Sequence, residues 1–591
     1  MVLTRQNGKW VSYCLGVALA VTSCGGVKLP TQTVPGSSSS NPNGGITVLT
    51  GLALEISTSV TGTLQSGQCS GPFTITTLNN GTASNVSGTL TVSLSGQGEG
   101  SFFSDAFCAS PINSTTISSG THTQTVYFSD PSAKESVLLA ASATNYALGS
   151  YGVSVAVSNE WIWQSGTQVW TTTSGIPPSS YGTQNVASGS NIPIARCGAI
   201  SWTDSSNNLW MFGGGVSLLG GGNCIPAYYA NDVWSYNLDI QEWTWITGSS
   251  STNAPGVYAS NVPGARYQAS YAKDSSGNIW MFGGYGIDGS SGTGQLNDLW
   301  EWQSATKTWK YITGSQTCNQ VGSYSVGGHP GARQGAAMWI DSSNHIWIMG
   351  GNGLDASTIA ANLDDLWEYS GSSWTYSASF PTQNCNTNLA GTADNTTRPG
   401  ARSEATYWQD SSGNFFLFGG NGVDSAGSSC SNELNDVWQF NPPSTWTRLP
   451  QGYETANSTG VYPSVGQATI NSIPSSREGT QSWLDSSNNL WLWGGWGVNN
   501  LGTTAYLNDF WERLSSTGEW KLIQGGIAAS NQITDYAARM SQASPHNFPG
   551  GRTASPTWVD SNGNFWLFGG VGEQATGPTD GIAEDLWQYF F

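Results

Sequence analysis

Asp274-Ser-Ser-Gly-Asn-Ile-Trp-Met-Phe-Gly-Gly284 is one of six near-copies of a single stretch, whose glycine pairs begin at Gly213, Gly283, Gly350, Gly419, Gly494 and Gly569. The period is about 67 to 75 residues, longer than the familiar short repeats. Each copy has the same parts in the same order. It opens on Pro-x-x-Arg, at Arg196, Arg266, Arg333, Arg402, Arg477 and Arg552, and a small-residue and aromatic run then leads to an Asp. A tight turn follows. The run into Gly-Gly is short, aromatic and bounded by glycine, which is how a buried strand reads. A variable loop comes next and ends in an Asp-x-Trp segment, at Asp232, Asp298, Asp365, Asp436, Asp509 and Asp585. Five copies then close on a Trp-centred strand, at Trp243, Trp309, Trp374, Trp446 and Trp520.

Four short strands per copy, repeated six times, predict an all-β chain whose residues 159–591 form a six-bladed β-propeller. A four-stranded blade cannot bury both faces unless neighbours cover them. The ends do not match. The last copy stops at Phe591 without a fourth strand, while Glu160-Trp161-Ile-Trp163 and Trp170 align with Asp298-Leu-Trp300-Glu-Trp302 and Trp309. The strand holding Trp170 is therefore expected to complete the last blade and join the two ends of the domain. A seventh, incomplete blade around Trp161 is the alternative.

The Arg, the aromatic run ending in Gly-Gly and the Trp strands together resemble the kelch repeat, in the long-loop form of bacterial surface proteins and of the galactose oxidase-like propeller superfamily. The resemblance covers roughly residues 159–591 and implies that the strand beginning at each Arg is innermost. Six arginines would then ring the mouth of a central channel. In some kelch propellers the matching arginines grip acidic peptides, so the resemblance implies a ligand-binding role for Arg196, Arg266, Arg333, Arg402, Arg477 and Arg552. Electrostatics limits that role, because two guanidiniums about 10 Å apart at an effective dielectric near 20 repel by roughly 1.7 kcal/mol. An Asp precedes each repeated Trp in equal number, which predicts Arg-Asp pairing built into the fold. A galactose oxidase-type copper centre needs paired His and Tyr ligands, and this propeller has only His329, His345 and His546. No cofactor and no metal are expected.

The chain's beginning reads as an export signal. Arg5 and Lys9 precede an apolar run from Val11 to Ala20, and residues 1–23 are too short and too punctuated for a lasting membrane span. Val21-Thr22-Ser23-Cys24 resembles a bacterial lipobox, with Val21 where Leu is usual. The match implies lipid attachment at Cys24 and a place at the bacterial outer membrane or cell surface, with plain secretion as the alternative. Residues 24–45, rich in Ser, Pro and Gly, are a tether. From 46 to 158, short Val/Thr/Ile/Leu strands such as Leu90–Leu94 and Thr125–Phe128 alternate with polar turns, which predicts an immunoglobulin-like β-sandwich. A net charge of −19 excludes nucleic acid and leaves the lipid anchor as the only membrane contact.

Cysteines in an exported chain are mostly oxidised. Cys69 pairs with Cys108 in this reading, Cys197 with Cys224 and Cys385 with Cys430, leaving Cys318 free. The repeated turn at Asp204, Asp274, Asp341, Asp410, Asp485 and Asp560 resembles the sialidase Asp-box, but its Asp-to-Gly spacing is one residue longer, so each Asp is read as capping its own turn. The two long connections of every copy emerge on one face and carry Tyr228, Tyr229, Tyr258, Tyr324, Asn384, Asn386, Tyr453 and Tyr462. Loops on a rigid scaffold are where recognition sits. The chain is therefore read as a monomeric, non-catalytic surface module for glycan or protein, with an extracellular sugar epimerase, a lyase or, least of all, a copper oxidase as the enzyme alternative.

Overall fold

The computed structural model describes residues 2–6, 9–13 and 51–591, apart from 59–63, 66–69, 97–99, 107, 109, 130–133, 157–159, 167–178, 219–223, 357, 378–397, 425–430, 444, 454, 500, 526–547 and 574–579. Cys24 and the tether thus lie outside the described residues, as do Trp170, Asn384, Asn386, Cys69, Cys385 and Cys430. The described chain is all-β, with one 3-10 turn at Tyr258–Ser260 and no α-helix.

Strands between Leu52 and Ala156 form two sheets of five and six strands. Alternation sends Ile56, Phe73, Ile75, Val126 and Phe128 from one sheet and Val92, Leu94, Val137 and Leu139 from the other into one core. From Ile200 onward the repeat builds one antiparallel four-stranded set per copy, consistent with a β-propeller. In the second copy the strands are Ser270–Lys273, Ile279–Phe282, Leu299–Gln303 and Thr308–Thr313, paired in that order.

The turn between the first two strands is held by its Asp, as expected. Asp274 Oδ1 accepts the backbone N–H of Ser276 and of Asn278, and Oδ2 accepts the indole N–H of Trp280. The same indole bond recurs at Trp210, Trp347, Trp491 and Trp566, while Phe416 stands at that position in the fourth copy.

The stretch after Gly-Gly departs from the expected variable loop. Gly283 and Gly284 take φ of 64° and 94°, which turns the strand aside. Tyr285–Ile287 then pairs with Arg266–Tyr267 and with Thr293–Gln295 in a second small sheet. The third, fifth and sixth copies build the same sheet, and in the first and fourth the long strands run through without a break. The glycines are needed for packing as well as for φ: a Cβ on Gly283 would lie 2.5 Å from the Arg333 carbonyl oxygen of the next copy.

Aromatic clusters fill the seams between copies. Trp202, Trp210 and Phe212 of the first copy pack with Met281, Trp300, Trp302 and Trp309 of the second. Like clusters join each later pair, and one joins the last copy to the first through Trp558, Trp566 and Phe568 against Met211, Trp234 and Trp243.

The strand that completes the last set is Glu160–Ser165. It pairs antiparallel with Leu586–Phe590, with Trp161 opposite Tyr589 and Trp163 opposite Trp587. This corrects the expected alignment. Trp161 occupies the position of Trp309, which lies opposite Trp302, rather than that of Trp300. Its indole packs against Trp483, Trp493, Phe510 and Tyr589 at 5.2–6.0 Å.

Candidate functional site

The repeated arginines come first, because the repeat places one at the start of every copy. All six are buried, at most 2 % exposed. Arg333 shows the pattern: its Nε donates to the Gly331 carbonyl, Nη1 donates to the Gly350 carbonyl and to Asp365 Oδ1, and Nη2 donates to Asp365 Oδ2 at 2.7 Å. The same two-pronged pairing joins Arg196 to Asp232, Arg266 to Asp298, Arg402 to Asp436, Arg477 to Asp509 and Arg552 to Asp585. The Asp Oδ2 also accepts the indole N–H of the Trp two residues on, as Trp367 donates to Asp365.

Tyr258, Tyr324 and Tyr462, expected on the ligand-facing loops, point inward instead, and Tyr181 joins them. Their hydroxyls donate to Asp298, Asp365, Asp509 and Asp232 at 2.7–2.9 Å. Burial, and then the neighbouring carboxylate, push these phenols well above their ordinary value, so they remain donors. Burial opposes ionisation of Asp232, Asp365, Asp436 and Asp509, but the paired arginines outweigh it and hold the carboxyls below their ordinary value. The structure thus brings each Arg to its own Asp.

Two residues after each Arg the chain forms a ring that the sequence did not reveal. Gly198, Gln268, Gly335, Glu404, Gly479 and Ala554 all take left-handed φ, between 50° and 62°. Each donates its backbone N–H to the carbonyl of the preceding copy's equivalent residue. Gln268 donates to Gly198, Gly335 to Gln268, Glu404 to Gly335, Gly479 to Glu404, Ala554 to Gly479, and Gly198 back to Ala554, at 2.8–3.0 Å. A cavity of about 450 Å³ lies against this ring among the first strands, with Tyr271 and Tyr407 in its wall. The Tyr407 hydroxyl donates to the Tyr271 carbonyl at 3.1 Å.

Gln268 and Glu404 also line a funnel on the loop side, made of two adjoining hollows of about 630 and 480 Å³. The hollows share Ile225, Tyr267, Gln334, Asn352 and Ala360. Tyr229 stacks on Tyr267 at 5.7 Å and 15°, and Tyr285 leans on both. The disulfide Cys197–Cys224 packs under this trio and ties the long loop of the first copy to the strand that follows Arg196. It is the pair expected from sequence. Cys108 is also disulfide-bonded, and Cys318 is free as expected.

A chain of amides crosses the funnel wall. Gln295 Nε2 donates to Asn352 Oδ1 at 3.0 Å, Asn352 Nδ2 to Asn362 Oδ1 at 3.2 Å, Asn362 Nδ2 to the Asn421 carbonyl at 2.9 Å, and Asn421 Nδ2 to Glu433 Oε1 at 3.3 Å. Glu433 is only 6 % exposed, and its Oε2 meets no hydrogen-bond partner among the described residues. Burial, with Glu404 nearby, pushes its carboxyl up to about 8 against the pull of the Asn421 amide. Of the surface tyrosines expected from sequence, Tyr229 lines the funnel, and Tyr228 and Tyr453 are about two-fifths exposed, at 38 % and 37 %. Tyr267, Tyr285 and Glu404 were missed, because each follows a repeated Arg or Gly-Gly and looked like part of the scaffold. The signal was in their variation: the other copies carry Cys, Gln, Ser, Glu or Thr where Tyr267 stands, Gly, Asn, Trp or Val where Tyr285 stands, and Gly, Gln or Ala where Glu404 stands, so these positions are not fixed by the repeat.

Among known proteins, residues 178–390 match the family model described as the KLHDC2/KLHL20/DRC7 Kelch-repeats domain. No curated protein matches the chain. The matched stretch ends inside the repeat array, and the same Arg, Gly-Gly and Asp-x-Trp parts continue to the last residues, so the similarity to kelch repeats is to a motif that recurs beyond the matched residues.

Proposed function

We propose that the protein is an exported, lipid-anchored binding scaffold: a six-bladed kelch propeller held away from the membrane by a tether and an immunoglobulin-like sandwich, which captures a partner in the loop-side funnel. Kelch repeats suggest a protein-interaction scaffold, and the observation that carries the reading is the funnel itself. Stacked tyrosines and a braced amide chain form a preorganised concave surface on a rigid frame, which lowers the ordering cost of binding. The cyclic order of the seam clusters and of the backbone bonds from Gly198 round to Ala554 supports six blades. In this reading the six arginines hold each blade's strands together rather than gripping an acidic ligand, since their donors are spent on Asp and backbone oxygens.

The anchor rests on Cys24 alone, and loss of palmitate labelling in Cys24→Ala would support it. A pull-down and a glycan array with residues 46–591 test the funnel: saturable binding abolished by Tyr267→Ala supports the scaffold, and binding unaffected by that change removes it. A second reading, an enzyme acting on sugars, draws on Glu433, a carboxyl still protonated near neutrality beside Glu404. Turnover of a bound sugar that is lost in Glu433→Gln would favour it.

A further inference from the structure

One seam carries a charge where the others carry a ring. The third-strand residue opposite the fourth-strand Trp is aromatic in five of the six four-stranded sets, at Tyr236, Trp302, Tyr369, Phe440 and Tyr589. In the fifth copy it is Arg513, opposite Trp520. The side chain is 7 % exposed, and its guanidinium carbon lies 6.0 Å from the ring centres of both Trp408 and Phe416 of the fourth copy.

Aromatic faces attract a guanidinium but offer no lone pair to the five N–H groups that lie in its plane. Arg513 makes no ion pair and no side-chain hydrogen bond with any described residue, and its Nε is buried without a partner. The nearest acids along the described chain are engaged. Glu512 pairs with Lys521 at 3.0 Å and accepts the Asn489 amide, and Glu519 accepts the Thr517 hydroxyl. Burial pushes the Arg513 guanidinium down to about 10. Arg196, Arg266, Arg333 and Arg477 are buried as well, but their aspartates outweigh the burial and hold them above the ordinary value. A buried charge without a counter-charge is costly, and there is space beside Arg513 for one. Gly518, in the turn that follows, has φ 74° and lacks a side chain where a Cβ would stand 3.0 Å from Arg513 Nη2 and 3.1 Å from Gln451 Nε2. Gln451 belongs to the fourth copy, is 4 % exposed, and its amide makes no hydrogen bond with a described residue. A guanidinium edge and an amide N–H thus converge on one small gap.

We propose that this gap between the fourth and fifth copies binds a small tetrahedral oxyanion, phosphate or sulfate. The Arg513 fork takes two of its oxygens and supplies the charge, and Gln451 donates to a third. A carboxylate has no third oxygen to offer. The site shares no residue with the funnel and stands whether or not the funnel captures a partner.

The test is calorimetric titration and thermal melting of the full-length protein with sodium phosphate, sodium sulfate or sodium acetate, at an ionic strength held constant with sodium chloride. Phosphate is expected to bind with a dissociation constant below about 10 mM, and acetate about tenfold more weakly. Arg513→Tyr restores the ring that five sets carry, so the seam stays filled while binding is lost; Arg513→Met gives the same comparison without a new ring. Gln451→Leu should weaken phosphate about tenfold, the usual worth of one hydrogen bond to a charged group. About 100 mM phosphate should raise the melting temperature of the wild type by about 2 °C more than that of Arg513→Tyr. No binding to the wild type, an equal response of wild type and Arg513→Tyr, acetate as tight as phosphate, or indifference to Gln451→Leu would each overturn the proposal. So would phosphate binding that appears only in a Glu454→Gln variant, because the counter-charge would then be the chain's own; Glu454 follows Gln451 by three residues and lies outside the described residues.

Discussion

The guanidiniums of Arg196, Arg266, Arg333, Arg402 and Arg477 are each enclosed by two carboxylate oxygens and two backbone carbonyls, as Arg333 is by Asp365, Gly331 and Gly350. Removing one charge of a buried pair strands the other. Arg333→Met is therefore expected to cost about 3–5 kcal/mol, while Arg333→Met with Asp365→Leu costs less than the two single changes added together. Urea denaturation of the three variants measures this. Lysine cannot replace the planar fork, so Arg333→Lys should recover little. The ring residues give a second prediction at this scale. Ala554 sits at φ 56°, a left-handed conformation that disfavours a Cβ, and Ala554→Gly should raise stability by up to about 1 kcal/mol, whereas Gly335→Ala should lower it by about 1–2 kcal/mol. Melting temperatures with opposite signs would bear this out, and equal signs would refute it.

The element that completes the last four-stranded set is Glu160–Ser165. It covers the edge of Leu586–Phe590, and Trp161 is 1 % exposed in the seam between the fifth and sixth copies. Trp161→Ala should cost about 3–5 kcal/mol. Deleting residues 160–165 uncovers a strand edge rich in Trp, Tyr and Phe, an invitation to pairing between molecules. Size-exclusion chromatography should show self-association of the deletion variant and none of Trp161→Ala. The sequence misplaced this strand by one hairpin for a clear reason. Trp-x-Trp at 161 and 163 resembles Trp300-x-Trp302 of a third strand, but fourth strands carry nearly the same signature, as in Trp243-x-Trp245, Trp309-x-Tyr311 and Trp374-x-Tyr376. Local pattern cannot separate two strands of one sheet that both bury alternate aromatic residues.

Across the whole molecule, two sets of carboxyls pull stability in opposite directions with pH. Asp232, Asp365, Asp436 and Asp509 have folded-state values below their ordinary one. Their contribution is present above the unfolded value near 3.9 and is lost as pH falls through the folded values. Glu433, raised to about 8, contributes below its unfolded value and loses that contribution as pH climbs through about 8. Stability should therefore collapse in acid below about pH 4 and decline gently toward alkaline pH. Glu433→Gln should remove the alkaline decline, raising the melting temperature at pH 9 by about 2–4 °C for each kcal/mol recovered and changing little at pH 5. Thermal melts across pH separate the outcomes, and an alkaline decline unchanged in Glu433→Gln would refute the assignment.

By itself the sequence determined the all-β repeat, the Asp-held turns, the equal numbers of Arg and Asp that come together as pairs, and the Cys197–Cys224 bond. Each of these recurs with the repeat or joins near neighbours along the chain, so periodic pattern and count carry the information. Only the tertiary structure decided which strand covers the last edge, that Tyr258, Tyr324 and Tyr462 turn inward to their aspartates, and that Tyr229, Tyr267, Tyr285, Glu404 and Glu433 meet around one funnel. The funnel residues come from three different copies and are brought together by the packing of copy against copy, a long-range geometry that no spacing within one repeat records.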